Sequence, residues 1–449
     1  MGKTESTRSA LLVKPSRAQD ARLQQGRRQR KSLSRSKLGE MTANRRHIKP
    51  LDVLLSATDG RLEKLLPLKY GRMCASPFAF FRGAVSIMAA DLAKQPNTGI
   101  MVQLCGDAHV QNLGCYEGPD GRLIFDINDF DETISGPWEW DVKRMATSIM
   151  LAGRESNHSR AECIGAVEEF IESYQATVGQ LADEPILVAA RFQIRRTQKA
   201  QAVSAALSQA RRANPLDLRA KYTITSGSRM YFKRIENLLW RVQGAERQQV
   251  LDGLELYRES LGEEQLHLFS FFVPVDVAFK VVGTGSVGLR DYVILMAGNG
   301  PEDPLFLQIK QEVDSIYAAY LKSSGYANQG RRVAEGQRKI QPLSDLLLGW
   351  TRIGEQDYLV RQLNDHKGSI DLKQLRGDGL NSLAIVAGEL LGRGHSRSGD
   401  SLVIKSYIGS GDKVLKSLVH FAIEYANVTE VDFESFTRAI REGRIKIRH

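Results

Sequence analysis

The chain has 449 residues, long enough for one large buried core or for two to three subdomains, and its 42% hydrophobic and 25% charged residues match a globular protein. No apolar run is long enough to span a bilayer, and no apolar stretch follows the basic N-terminus, so neither a membrane span nor a secretory signal is expected. The net charge of +10 is local: residues 1–50 carry fourteen Lys/Arg against Glu5, Asp20 and Glu40, which leaves the remainder at −1. The basic stretch 1–50 is therefore read as a solvated, disordered tail, and only this tail offers a route to nucleic acid. Cys74, Cys105, Cys115 and Cys163 lack metal-ligand spacing and fit a reducing, cytoplasmic setting.

Order is expected from about Leu51. Ser76-Pro77-Phe78 marks a turn and a helix start, with Phe81, Val85, Met88 and Leu92 at helical spacing behind it. Met101–Leu104 is a short strand leading into Gly106-Asp107-Ala108-His109-Val110-Gln111-Asn112. Leu123–Phe125 is a second, leading into Asp126, Asp129, Asp131 and Glu132. Phosphoryl transfer needs a carboxylate to orient or deprotonate the acceptor and oxygen ligands for Mg²⁺. The first loop offers Asp107 as base and Asn112 as metal ligand, with His109 in a structural role. In the second, Asp126 and Asp129 both fit a metal ligand. Asp129 is preferred, because Asp141 then falls where a loop-anchoring carboxylate is needed. A two-metal phosphoesterase would require further His and Asp ligands that the chain lacks.

Trp140–Leu151 and Ser159–Leu181 read as helices, and 190–262 as a mainly helical insertion. Near Ser270 the composition changes. Val277–Val282, Tyr292–Met296 and Leu305–Ile309 read as strands separated by Gly-rich turns. Between the first two lies Gly283-Thr284-Gly285-Ser286-Val287-Gly288. In a dinucleotide fold this motif opens a helix, but here Leu289–Met296 is rich in β-formers, so it reads as a hairpin covering phosphates. Gly283, Gly285, Ser286 and Gly288 would form the cover, and Lys310, ending the third strand, would grip the nucleotide. Glu335, on a helix read over Val333–Leu348, is the expected partner of Lys310, with Glu312 a poorer choice. Tyr358–Leu363 is a further strand, and helices follow Asp371.

The Gly-Asp-x-His-x-x-Asn loop, the strand ending in Asp and Trp140–Ala146 are similar to aminoglycoside and choline kinase-like phosphotransferases, although Cys105 stands where those loops carry His. Ser76–Gly83, Cys105–Asn112, Asn128–Glu132, Gly136–Asp141, the glycine loop through Lys310, Tyr358–Leu363 and His395–Asp400 more closely resemble the bacterial domain-of-unknown-function family 2252. That resemblance implies an α+β, protein-kinase-like two-lobe fold and nucleotide chemistry. Because the catalytic loop precedes the glycine loop, the fold would be circularly permuted. Residues 51–265 and 366–449 would form the helical large lobe, and 266–365 the β-rich nucleotide lobe. The expectation is an ATP- and Mg²⁺-dependent phosphotransferase acting on a small hydroxylated acceptor. Nucleotidyl transfer to protein and a non-catalytic nucleotide-binding regulator are the alternatives.

Overall fold

In a computed structural model the described residues are 17–41, 46, 48–193, 200–212, 215–227, 229–281, 283–300, 302–321, 325–363 and 368–448. Helices α1 (Arg17–Ser32), α2 (Pro50–Ser56), α3 (Leu66–Met73), α4 (Pro77–Gly83) and α5 (Val85–Ala93) come first. Strands β1 (Met101–Leu104), β2 (Leu113–Glu117), β3 (Leu123–Ile127) and β4 (Ile134–Pro137) follow. Next are α6 (Trp138–Glu155), α7 (Arg160–Asp183), α8 (Ile186–Ala190), α9 (Gln201–Arg212) and α10 (Pro215–Tyr222). The middle of the chain holds β5 (Thr223–Ser226), β6 (Arg229–Phe232), β7 (Leu239–Arg241), α11 (Gly244–Glu259) and α12 (Glu263–Phe269). Then come β8 (Val273–Lys280), β9 (Asp291–Ala297), β10 (Pro304–Glu312), α13 (Gln329–Ile340), β11 (Gly349–Ile353), β12 (Gln356–Gln362) and β13 (Gly368–Ser369). The chain closes with α14 (Gly379–Ser398), α15 (Ser401–Ile408) and α16 (Lys413–Arg441).

The result is a mixed α+β protein built on a six-stranded antiparallel sheet of order β11-β12-β10-β9-β8-β7. Side chains alternate across it. Phe279, Ile294, Leu307 and Ile309 face α11 and α12, while Ala278, Val293, Leu295 and Phe306 pack with Tyr222 and Phe232 on the other face. The larger core joins α5, α6, α7, α9, α14 and α16 to the short strands, and Val333 and Ala334 of α13 tie it to Leu359 of the sheet.

Several expectations change. The stretch 190–262 is mainly helical as expected, through α9, α10 and α11, but the β-branched and aromatic run around Thr223–Phe232 pairs as a hairpin, and β7 already belongs to the main sheet. The β-rich unit therefore begins before residue 266. The expected helix at 78–92 breaks at Ala84 (φ −112°, ψ 35°) into α4 and α5. The helix read over 333–348 runs from Gln329 to Ile340 and stops before Pro342. The tail is corrected too. Residues 1–16, 42–45 and 47 lie outside the described residues, but 17–32 form α1, packed on α15. Gly26 sets the close approach, since a Cβ there would lie 2.4 Å from the Val403 carbonyl. Arg22 grips Asp400 with two hydrogen bonds (2.6 and 2.7 Å), and Arg30 and Arg35 donate to the Tyr407 and Ile408 carbonyls that end α15. Arginines that read as solvated charge thus satisfy a helix end.

Candidate functional site

Gly106 has φ +91°, a left-handed conformation suited to glycine, and a Cβ there would meet the Glu132 carbonyl at 2.2 Å. This turn brings the Asp107 loop against the acidic segment. Asp141, at the start of α6, accepts hydrogen bonds from the Cys105 and Gly106 amides (2.7 and 3.1 Å), so it anchors the loop as expected. Asn112 donates its side-chain amide to the Asp107 carbonyl (2.8 Å). The Asp107 carboxylate accepts from the fully buried Arg144 (2.6 Å). Burial pushes the Asp107 carboxyl up, and Arg144 opposes that shift. The His109 ring lies edge-on to Phe78, with Nε2 3.6 Å from Asp107, and burial holds it neutral. The loop is shaped by the His109 carbonyl, which accepts from the Asn112 amide, rather than by the ring.

The two candidate metal ligands separate cleanly. Asp126 is wholly buried on β3 against Arg393 (2.5 Å), whereas Asp129 is 39% exposed and lines a cleft. Lys310, on β10, meets this segment from the sheet. Its Nζ donates to both oxygens of Asp131 (2.5 Å each) and lies 3.7 Å from Asp129. Partial desolvation by the packed cleft wall and the neighbouring Asp131 push the Asp129 carboxyl up to about 6, against the pull of Lys310. Asp131 is held well below the usual carboxylate range despite its burial, because Lys310 and the Ser286 hydroxyl (2.8 Å) favour its anion. Burial weakens the Lys310 charge, but Asp129 and Asp131 outweigh it and keep the ammonium protonated.

Glu335 does not reach Lys310. It pairs with Arg331 (2.7 Å) and Tyr326 (3.2 Å) along the side of α13. The inward face of that helix carries Arg332, which donates to the Asp131, Thr133 and Val313 carbonyls, and Gln337, which lines the cleft. Asp131 therefore takes the place expected for Glu335.

The glycine loop closes one wall. Gly283, Gly285 and Ser286 line the cleft, and an added Cβ at Gly283 or Gly285 would meet nothing within 4 Å, so the backbone is open to a ligand there. Gly288 does not line it. Its φ of +96° and a would-be Cβ 2.9 Å from the Arg61 side chain make its role conformational. The loop is held from outside by two cations the sequence reading missed. Arg61 donates to the Gly285 and Val287 carbonyls (2.8 Å each), and Lys69 donates to those of Thr284 and Gly285 (3.0 and 3.3 Å). No spacing signal links residues so far apart in sequence. Arg361, which donates to the Asn128 carbonyl (3.4 Å) and to Gln308 (3.1 Å), was missed as well, although it alternates along an expected strand.

Together these elements enclose a cleft of about 810 Å³ bordered by Asp107, Asn112, Asp129, Gly283, Gly285 and Lys310, within the range of small-ligand sites. Among the described residues no three His, Cys, Asp or Glu side chains converge as a cation cage. Asp129 and Asn112 instead offer two oxygen donors on one cleft. That set suits Mg²⁺, which is usually held by one or two protein ligands, with phosphate and water completing the shell.

Residues 61–439 match the family model described as an uncharacterized protein conserved in bacteria, DUF2252, and the chain belongs to that family. Comparisons with curated proteins and with solved structures return no match. No helix among the described residues is long and apolar enough to cross a membrane.

Proposed function

We propose that this protein is an ATP- and Mg²⁺-dependent phosphotransferase of protein-kinase-like, circularly permuted architecture, acting on a small hydroxylated acceptor. One observation carries the reading: Lys310 reaches Asp131 across 179 residues of chain and stands 3.7 Å from Asp129, beside the glycine loop and the Asp107 loop. A cationic grip, an open glycine cover, oxygen donors and a buried carboxylate on one cleft are what phosphoryl transfer needs.

In this reading the backbone of Gly283 and Gly285 and the Lys310 ammonium hold the phosphates. Asn112 and Asp129 would hold Mg²⁺, which would supply neutralisation of the charge developing on the transferred group. Asp107, oriented by Arg144, accepts the proton of the acceptor hydroxyl. The acceptor oxygen then bonds to the terminal phosphorus, the bond from that phosphorus to the bridging oxygen breaks, and ADP leaves.

The test is calorimetric titration with ATP, with and without Mg²⁺, on wild type, Lys310→Ala and Asp129→Ala. Metal-dependent binding weakened about tenfold or more by each change is expected, the loss of one charge-assisted contact. Binding indifferent to both changes, or no binding, would overturn the reading. Asp107→Asn should bind ATP like wild type yet lose turnover. A wild type that binds ATP but transfers phosphate to no acceptor would instead favour a nucleotide-binding regulator.

A further inference from the structure

We propose that the end of the cleft beside Asp107 is an anion site, in which Arg82 binds a carboxylate or phosphate group carried by the acceptor. The proposal rests on the phosphotransferase reading and assigns its substrate class.

Two arginines act on Asp107 from the helical part, and their circumstances differ: Arg144 is fully buried, Arg82 part-buried. Arg144 is saturated: it donates to Asp107 at 2.6 Å and to the Phe81 carbonyl at 3.1 Å. Arg82, near the end of α4, lines the cleft and forms no ion pair or hydrogen bond among the described residues. Its Nε is buried without a partner, and its one contact of note is the Phe78 ring, 6.0 Å from the guanidinium carbon. The carboxylates acting on it from a distance are already engaged, Asp107 by Arg144, Asp129 near Lys310 and Glu155 by the Ser76 hydroxyl (2.5 Å). A guanidinium carries its charge at every working pH, so a partly desolvated and unpaired one gains from a ligand that supplies the anion.

A second group points the same way. His109 is 2% exposed, lines the cleft, and has a buried Nδ1 without a partner. With Nε2 turned toward the Asp107 carboxylate, the one N–H of the neutral ring faces Asp107, and Nδ1 is left as a buried acceptor that can take an O–H of the same ligand. Arg72, from the neighbouring α3, lines the cleft as well. A guanidinium fork meets carboxylate or phosphate through two parallel hydrogen bonds, a geometry that a neutral hydroxyl compound does not exploit. A cationic acceptor would face Arg82 as a like charge. The acceptor class is therefore a small hydroxy acid or hydroxylated phosphate ester.

The test fills the nucleotide end first. Protein saturated with Mg²⁺ and a non-hydrolysable ATP analogue is titrated with inorganic phosphate, with glycerate and with choline, by calorimetry. Wild type, Arg82→Met and Arg82→Lys are compared, and the lysine variant keeps the comparison usable if the methionine variant does not fold. Phosphate or glycerate should bind the loaded wild type, about tenfold or more weakly after Arg82→Met, and with intermediate strength after Arg82→Lys. Affinity for the analogue should stay within about twofold throughout, because Arg82 is assigned to the acceptor. Anion binding unchanged in both variants, choline bound in place of the anions, or a nucleotide-loaded wild type that binds no anion would each overturn the proposal. If the analogue itself does not bind, the phosphotransferase reading fails. Phosphate titration of the free protein then decides the anion site alone: loss in Arg82→Met but not in Lys310→Ala supports it, and any other pattern overturns it.

Discussion

Asp129 and Asp131 share one ammonium, and the geometry divides its field unequally. Lys310 touches both oxygens of Asp131 at 2.5 Å but stands 3.7 Å from Asp129. Asp131 also takes the Ser286 hydroxyl, so it stays ionised, while Asp129, more exposed but only partly solvated and farther from Lys310, bears the repulsion of its neighbour. In the proposed reading Asp129 is a metal ligand, and its carboxyl is pushed up to about 6. Only the anion binds metal, and the proton competes for it below that pH. Mg²⁺-dependent nucleotide affinity should therefore be flat above about pH 7 and fall by about tenfold per pH unit well below 6. In Asp129→Asn this fall should vanish along with most of the metal dependence. Titrations across pH 5 to 8 check this, and a pH profile unchanged by Asp129→Asn would place the titrating group elsewhere.

At the scale of elements, the glycine loop owes its position to a strap outside the sheet. Arg61 and Lys69 turn four donated hydrogen bonds onto the Thr284, Gly285 and Val287 carbonyls, and the Leu62 amide donates to Gly288 (2.8 Å). Lys69 is 3% exposed, burial pushes its pKa well down, and it has no carboxylate within ion-pair range among the described residues. Lys69→Met keeps the apolar stem and removes a desolvated amine. The loop carbonyls lose a partner while the core loses little. Hydrogen exchange at the 284–289 amides should therefore quicken, with the melting temperature unchanged or raised; slower exchange there would contradict the strap. The strap also marks the limit of what the sequence showed. The strands β1, β3, β8, β9, β10 and β12, the helix α7 and the glycine hairpin were legible because short apolar runs, helical spacing of apolar residues and turn glycines are local signals. The Lys310 partner was not, because the rotation of α13 that turns Arg332 inward and Glu335 aside is set by packing on the sheet. The place of α1 was equally hidden, since basic residues look the same whether they meet water or the carbonyls of α15.

For the molecule as a whole, motifs in reversed order still meet because residues 129–133 are stitched to the β-rich part along their length. Lys310 and Ser286 hold Asp131, Arg332 holds the Asp131 and Thr133 carbonyls, and Ser315 and the Ile316 amide hold Glu132 (2.8 and 2.6 Å). Removing one partner of a buried ion pair is far more damaging than removing both, because the remaining charge is stranded. Lys310→Met leaves Asp129 and Asp131 facing each other without their ion-pair partner, with only the more distant Arg361 acting on both, so the seam is where the molecule should come apart first. In wild type the β3 amides (Leu123–Ile127) and the β10 amides (305–312) should exchange through one shared opening, with similar free energies in native-state hydrogen exchange. Lys310→Met should split them into two openings, with β10 the less protected, and the double variant Lys310→Met/Asp131→Asn should restore much of the shared behaviour. Separate openings already present in wild type would mean that the two halves of the cleft are independent units. The ion pair would then be a contact between them and not the tie that brings the two halves of the site together.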